Sequence, residues 1–339
     1  MVFRILAICL SCLAAAAWLT GVARKLALSH HVLDMPNERS SHSKATPRGG
    51  GVAMVLTVTA SLVVLCSLGA LRTDLFVALI GGSLAVATIG FVDDRRTVRP
   101  GVRLAVHLGA SVWAVSWLGG LPALRIGEHL VHLGWMGYVL AVLGIGWTLN
   151  LFNFMDGIDG IAASEAAFIA WAGALLTVIG GGSIDVAYVG FVLGAACMGF
   201  LLWNWPPAKI FMGDVGSGYL GYLLGTLALA ATRDNPAAIW IWLVLGGVFF
   251  VDATVTLARR LVRAERVYEA HRSHAYQWLA RRWGSHRRVT LTVMALNLLW
   301  LMPWAVFATI HPDHAIAAIT AALSLMIALA LVAGSGKRE

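Results

Sequence analysis

Eleven apolar stretches of about 17 to 22 residues recur along this chain, and each is long enough to cross roughly 30 Å of hydrocarbon. They lie near residues 5–23, 49–71, 75–92, 102–119, 134–153, 161–180, 186–203, 216–232, 237–258, 290–309 and 315–334. In lipid every backbone amide needs an internal partner, so each stretch must be helical. At 59% hydrophobic and 12% charged residues, a soluble globular domain is excluded. The connections are short except for 24–48 and 259–289, and no linker or internal repeat divides the chain. The expected fold is therefore all-α: one polytopic membrane domain over residues 1–339, with about 11 transmembrane helices. The first stretch reads as a span rather than a cleaved leader, because Arg24 and Lys25 follow it directly.

Charge fixes the expected orientation. With the N-terminus outside, 21 of the 25 Lys and Arg residues fall in the inside loops and tail. Only Arg4, Arg72, Arg125 and Arg233 fall on the other side. The positive-inside rule then places the N-terminus in the periplasm and the C-terminus in the cytoplasm. The net charge of +8 sits on the cytoplasmic face, where it meets anionic lipid and phosphate. Nucleic acid is not expected as a partner, since no soluble domain is present to read a groove. Cys9, Cys12, Cys66 and Cys197 all lie in apolar stretches and read as small packing residues.

Carboxylates beside a bilayer are costly unless they hold an ion, a proton or a substrate. Asp34, Asp93, Asp94, Asp156, Asp159, Asp214 and Asp252 all fall at or near the inside face. The other face holds Asp74, Asp185, Asp234 and Asp313 singly. In Asn150-Leu-Phe-Asn153-Phe-Met-Asp156-Gly-Ile-Asp159-Gly, polar residues recur every three positions, which a continuous helix would smear around its surface. Gly157 and Gly160 let the backbone unwind and turn those side chains inward. Adjacent Asp93 and Asp94 repel each other unless a cation or proton intervenes. Asp214, set between glycines at the start of a span, suits a hard cation.

Basic groups are interleaved with these acids. His42, Lys44 and Arg48 in the first loop offer phosphate-pairing charge, although that loop also reads as a plain juxtamembrane anchor. His271 and His274, spaced i, i+3 with Arg272 between them, could share a helix face and contact one phosphate. A basic amphipathic surface helix is the alternative reading of that loop. A one-sided set of carboxylates with basic neighbours matches what a Mg²⁺–diphosphate site at a membrane surface needs.

The segments FVDDRRTVRPGVR, NLFNFMDGIDG, NWPPAKIFMGDVGSG and HRSHAYQ, in that order, resemble the polyprenyl-phosphate N-acetylhexosamine-1-phosphate transferases. The loop DMPNERSSHSKATPRGGG is similar to that family's first cytoplasmic loop, so the resemblance covers nearly the whole chain. The family includes O-antigen and enterobacterial-antigen initiators and the peptidoglycan translocase. The resemblance implies transfer of an N-acetylamino-sugar 1-phosphate from a UDP-sugar to undecaprenyl phosphate, with release of UMP. It implies a bacterial inner-membrane protein that works on the cytoplasmic face and uses Mg²⁺, or Mn²⁺ in its place. A homodimer is compatible with it. By this resemblance Asp93, Asp94, Asp156 and Asp159 are catalytic, and Asp214 with Asp156 holds the metal. Lys44, Arg48, Asn150, Asn153, Asn204, His271, Arg272 and His274 bind substrates. The catalytic loops are then 24–48, 93–103, 150–165, 204–216 and 259–289. His271-Arg272-Ser273-His274 departs from the triple histidine of the peptidoglycan translocase, which argues against a muramyl-pentapeptide donor.

Two other classes share the broad pattern. A transporter would also carry many spans, but it places its substrate groups near the midplane and shows repeats. A non-catalytic scaffold would not need carboxylates gathered at one face.

Overall fold

The computed structural model describes residues 2–35, 45–265 and 272–337. Helices dominate it: α1 (Val2–Ser29), α2 (Gly51–Ser67), α3 (Thr73–Asp93), α4 (Pro100–Leu118), α5 (Trp135–Met155), α6 (Ile161–Ile179) and α7 (Ile184–Asn204). The second half adds α8 (Asp214–Thr232), α9 (Ala238–Leu245), α10 (Gly247–Val262), α11 (Ala275–Trp283), α12 (His286–Leu296), α13 (Met302–Ile310) and α14 (Ala315–Ala333). Among the described residues, nine helices are long and apolar enough to cross a membrane, with α12 and α13 counted as one through a π-helical stretch at Asn297–Leu301. α2 is apolar but shorter, at 17 residues.

The apolar stretch expected at 237–258 is not one straight helix. It breaks at Gly246, and α9 and α10 meet at 77°. Two adjacent glycines, Gly246 and Gly247, leave the backbone there without side chains to hold a continuous turn. Two short antiparallel ribbons complete the structure: Leu33–Asp34 with Thr46–Pro47, and Ala123–Ile126 with His129–His132.

α8 is the most enclosed helix, surrounded by α3, α5, α2 and α6, while α1 packs along α7. Small residues permit this crowding. A Cβ at Gly51 would sit 2.4 Å from the Gly216 Cα, and one at Gly90 would sit 2.4 Å from the Asp214 carbonyl oxygen. The outer surface is apolar, with Leu10, Trp18, Val112 and Val332 exposed, as contact with lipid requires. One polar pair lies deep inside: Asn297 Nδ2 donates to Glu165 Oε2 at 2.5 Å, and this ties α12 to α6.

The two ends of the bundle differ. At one end Arg72 lies 2.9 Å from Asp185 and 3.7 Å from Asp74, Arg233 pairs with Asp74, and Arg125 of the second ribbon pairs with Asp313. At the other end the last turns of α3 and α5 meet the first turns of α4, α6 and α8. The carboxylates gather at that second end.

Candidate active site

Asp94 closes α3 and Asp214 opens α8. Asp94 Oδ1 accepts from the Asp214 amide at 2.8 Å and Oδ2 from the Val215 amide at 3.2 Å. Gly213 makes this approach possible, because it sits at φ +77 and a Cβ there would lie 2.4 Å from Asp94 Oδ2. Two arginines then bridge the acids. Arg48 places Nε 2.9 Å from Asp94 and Nη2 2.7 Å from Asp214. Arg103 pairs with Asp93 and reaches Asp214 at 3.1 Å. Asp93 also accepts from the Val98 amide at 2.6 Å. The expectation that a cation lies between Asp93 and Asp94 is met differently: the two diverge, and each finds its own guanidinium.

Asp156 follows the last turn of α5, and the chain there leaves the helix until Ile161. This is the unwinding that Gly157 and Gly160 permit, with Gly160 at φ +76. Burial first, then the charge of Asp214, with Asp94 and Asp159 adding to it, hold the Asp156 carboxyl well above the usual Asp range against the pull of Arg48. Burial likewise raises Asp94, with Arg48 opposing. Burial works to lower Arg48, but Asp214 and Asp94 outweigh it and hold the guanidinium above its ordinary value.

Asp159 is held from several sides. Its Oδ2 accepts from the Ala208 amide at 3.0 Å, and its Oδ1 lies 3.2 Å from His286 Nδ1. Its carbonyl oxygen accepts from Thr290 Oγ1 at 3.1 Å. His286 and Thr290 are functional-site neighbours that sequence reasoning missed. Their one signal was the i, i+4 spacing on one face of α12, hidden in a basic run. Arg103 was missed in the same way, because Arg95, Arg96 and Arg99 stand nearer in sequence to the aspartates.

Of the expected substrate-binding residues, Arg48 joins the cluster directly. Asn153 reaches Ser217 on α8 at 3.3 Å. Asn204 is buried and engaged with backbone, since its Oδ1 accepts from Gly160 N and its Nδ2 donates to Ile210 O, both at 2.9 Å. It braces the two loops rather than facing a cleft. Asn150 donates to Gly146 O within its own helix at 2.7 Å. His274 is the extended N-cap of α11, at φ -70 and ψ 149; the helix face expected of it with His271 falls on residues outside those described. It stacks with Phe154 and Tyr276. The Arg272 carbonyl accepts from Arg281. Lys44 and His271 lie outside the described residues.

The donor set suits a hard divalent cation. Asp214 is the more open of the bridged acids, and the charge of Asp156 is disfavoured by the carboxylates around it. Among the described residues no three His, Cys, Asp or Glu close into a complete metal cage. A cation that takes one or two carboxylates and completes its shell with phosphate and water needs no such cage.

Residues 76–232 match glycosyl transferase family 4. A Bacillus subtilis protein named as a probable undecaprenyl-phosphate N-acetylglucosaminyl 1-phosphate transferase is 30% identical, across 83% of this chain and 79% of its own length. The decaprenyl-phosphate N-acetylglucosaminephosphotransferase of Mycolicibacterium smegmatis is 29% identical, across 91% and 83%. The phospho-N-acetylmuramoyl-pentapeptide-transferase of Moorella thermoacetica is 34% identical, across 63% and 69%.

Proposed function

This chain belongs to glycosyl transferase family 4, and from that membership we propose that it moves an N-acetylamino-sugar 1-phosphate from a UDP-sugar to undecaprenyl phosphate. The products are undecaprenyl-diphosphate-sugar and UMP, made at the cytoplasmic face of a bacterial inner membrane. The step would initiate O-antigen or a related surface polysaccharide. The observation that carries this reading is the Asp94–Arg48–Asp214–Arg103–Asp93 chain at the ends of apolar helices. The N-acetylglucosamine transferases match more of this chain than the Moorella pentapeptide transferase does, which favours a simple amino sugar over a muramyl-peptide donor.

The residues suit two phosphate-bearing substrates meeting at an interface. Arg48 and Arg103 present planar guanidinium forks that can trade a carboxylate oxygen for a phosphate oxygen. Both keep about a third of their side-chain surface open, so phosphate can reach them without the fold opening. Asp94 locks the first turn of α8 and so fixes Asp214. Asp93 steers Arg103 rather than capping a helix, so it would act on the acceptor through that guanidinium. Mg²⁺, when bound, would lie with Asp214 and Asp156 and neutralise diphosphate charge. A 140 Å³ apolar cavity between α5, α8 and the bent α9–α10 pair, with Ile145, Leu224, Trp242 and Phe249 in its walls, offers room for a short stretch of the isoprenoid tail.

Purified protein in detergent, given Mg²⁺ and a panel of UDP-N-acetylamino sugars, should release UMP only when undecaprenyl phosphate is added. No UMP from any sugar of the panel would overturn the reading.

A further inference from the structure

Asp252 stands in an otherwise apolar stretch, Val-Phe-Phe-Val-Asp252-Ala-Thr-Val, and is 3% exposed. A carboxylate there is costly unless its oxygens are filled. Four donors fill them. Oδ1 accepts from Ala275 N at 2.8 Å, Ser335 Oγ at 2.8 Å and Thr256 Oγ1 at 3.2 Å. Oδ2 accepts from Tyr276 N at 3.1 Å. Asp252 therefore caps the first turn of α11 from another helix, the position where a negative charge is most favourable.

The turn after α14 closes this arrangement. Ser335 is fully buried. Arg259 Nη1 donates to Ser335 O at 2.7 Å, Arg263 Nη1 donates to Gly336 O at 2.6 Å, and Gly336 N donates to Ser273 O at 2.7 Å. Segment Ser335–Gly336 thus stitches α10 to the residues that lead into α11.

From α11 the chain of contacts reaches the site. Tyr276, 3% exposed, donates its hydroxyl to Phe154 O at 3.0 Å. That carbonyl belongs to the last turn of α5, where carbonyls have no helical partner of their own. A Cβ at Gly157 would fall 2.1 Å from the same hydroxyl, so the Asp156–Gly157 backbone lies against the phenol.

We infer that Tyr276 is a positioning residue for the loop that carries Asp156 and Asp159, and that Asp252 and Ser335 hold it in place. The inference rests on the transferase reading for its consequence in turnover, but not for its geometry. Tyr276 fixes the loop from the α11 side while His286 and Thr290 fix it from the α12 side. Tyr276 is buried and meets the loop through its hydroxyl, so its loss should misplace carboxylates without weakening substrate capture.

Full-length protein with Tyr276→Phe, Ser335→Ala, Ser335→Thr or both Tyr276→Phe and Ser335→Ala tests this. Hydrogen exchange is followed by mass spectrometry in the peptide covering 154–160, alongside kcat and KM. Tyr276→Phe should speed exchange in that peptide about tenfold, the size set by one lost hydrogen bond. It should lower kcat by about the same factor with both KM values within about twofold. Ser335→Ala should move both readouts in the same direction and Ser335→Thr should restore them. The double variant should be no worse than Tyr276→Phe alone, because both act through one chain of contacts. Wild-type exchange at 154–160 in both single variants overturns the inference, as does a double variant whose effects multiply. If the wild-type protein releases no UMP from any sugar, the transferase reading fails while the exchange result still decides the positioning role.

Discussion

Asp94 caps the helix that Asp214 begins. The two residues lie 120 positions apart, yet the carboxylate of one accepts the backbone amide of the other at 2.8 Å. Gly213 keeps the space open between them, and Arg48 touches both carboxylates from the first loop. Wherever Asp214 points, Asp94 has set it. Asp93, the next residue back, turns instead to Val98 and Arg103.

The adjacent aspartates should therefore fail differently. Asp94→Ala removes two amide acceptors at a buried helix start and leaves Arg48 with one partner fewer. It should lower unfolding stability by about 2 kcal/mol as well as turnover. Asp93→Ala leaves Arg103 with Asp214, and the Val98 amide sits in a partly open loop where water can replace the lost oxygen. It should cost less than about 1 kcal/mol and act chiefly on turnover. Equal losses of thermal stability in the two variants would remove the capping role from Asp94.

Asp214→Asn keeps the shape of the side chain and leaves its amide bonded to Asp94. Its two guanidinium partners each hold a second carboxylate, so folding should change little. Turnover should fall at least a hundredfold, about 2.7 kcal/mol in the barrier, because a lost metal ligand acts on the transition state. More than about a tenth of wild-type UMP release would take the ligand role away from Asp214.

How much of this was legible beforehand differs from residue to residue. The break at Gly157 and Gly160 and the gathering of Asp94, Asp156 and Asp214 follow from local rules, since carboxylates at helix ends and unwound glycines announce themselves in sequence. The partners do not. Arg103 was hidden behind Arg95, Arg96 and Arg99, because which guanidinium reaches an aspartate depends on how α3 meets α4. Asn204 was assigned to substrate through the family resemblance, and a polar residue ending an apolar run does not itself show whether it faces a cleft or braces a backbone. The bend between α9 and α10 was masked by an unbroken apolar run, and only the glycine pair at Gly246 and Gly247 hinted at it.

The titration of Asp156 gives a signed expectation. Its folded pKa is raised by burial and then by Asp214, Asp94 and Asp159, against Arg48. A group raised in this way stabilises the fold fully below its unfolded pKa and loses that contribution as pH climbs through the folded one. Without metal, wild-type protein should lose stability relative to Asp156→Asn as pH rises from about 4 toward neutral. A divalent cation requires the ionised carboxylate, so added Mg²⁺ should raise the melting point more as pH rises, with proton release on binding. Asp156→Asn should flatten that difference. A Mg²⁺ shift with the same pH dependence in both proteins would exclude Asp156 as a ligand.

Orientation can be read by labelling. The charge split predicts α11 on the cytoplasmic side, and Arg282 on that helix is exposed. With the four native cysteines changed to Ala, Arg282→Cys should resist a membrane-impermeant thiol reagent in intact spheroplasts and react after lysis. Rapid labelling before lysis would reverse the orientation, and would put the carboxylate cluster on the wrong side for a cytoplasmic sugar nucleotide.

The bond that breaks distinguishes this reaction from ordinary glycosyl transfer. A lipid phosphate can attack a UDP-sugar at the anomeric carbon and expel UDP, or at the β-phosphorus and expel UMP. Arg48 and Arg103 set guanidinium forks suited to phosphate oxygens among carboxylates suited to a hard cation, and phosphoryl transfer depends mainly on positioning and charge neutralisation. The second path forms one phosphoanhydride as it breaks another, so the reaction should lie near balance and run measurably in reverse. UDP-sugar labelled with ³²P at the β position should deliver its label to the lipid, and UMP with the lipid-diphosphate sugar should regenerate UDP-sugar. Label recovered in free UDP would mean that the sugar moved without its phosphate.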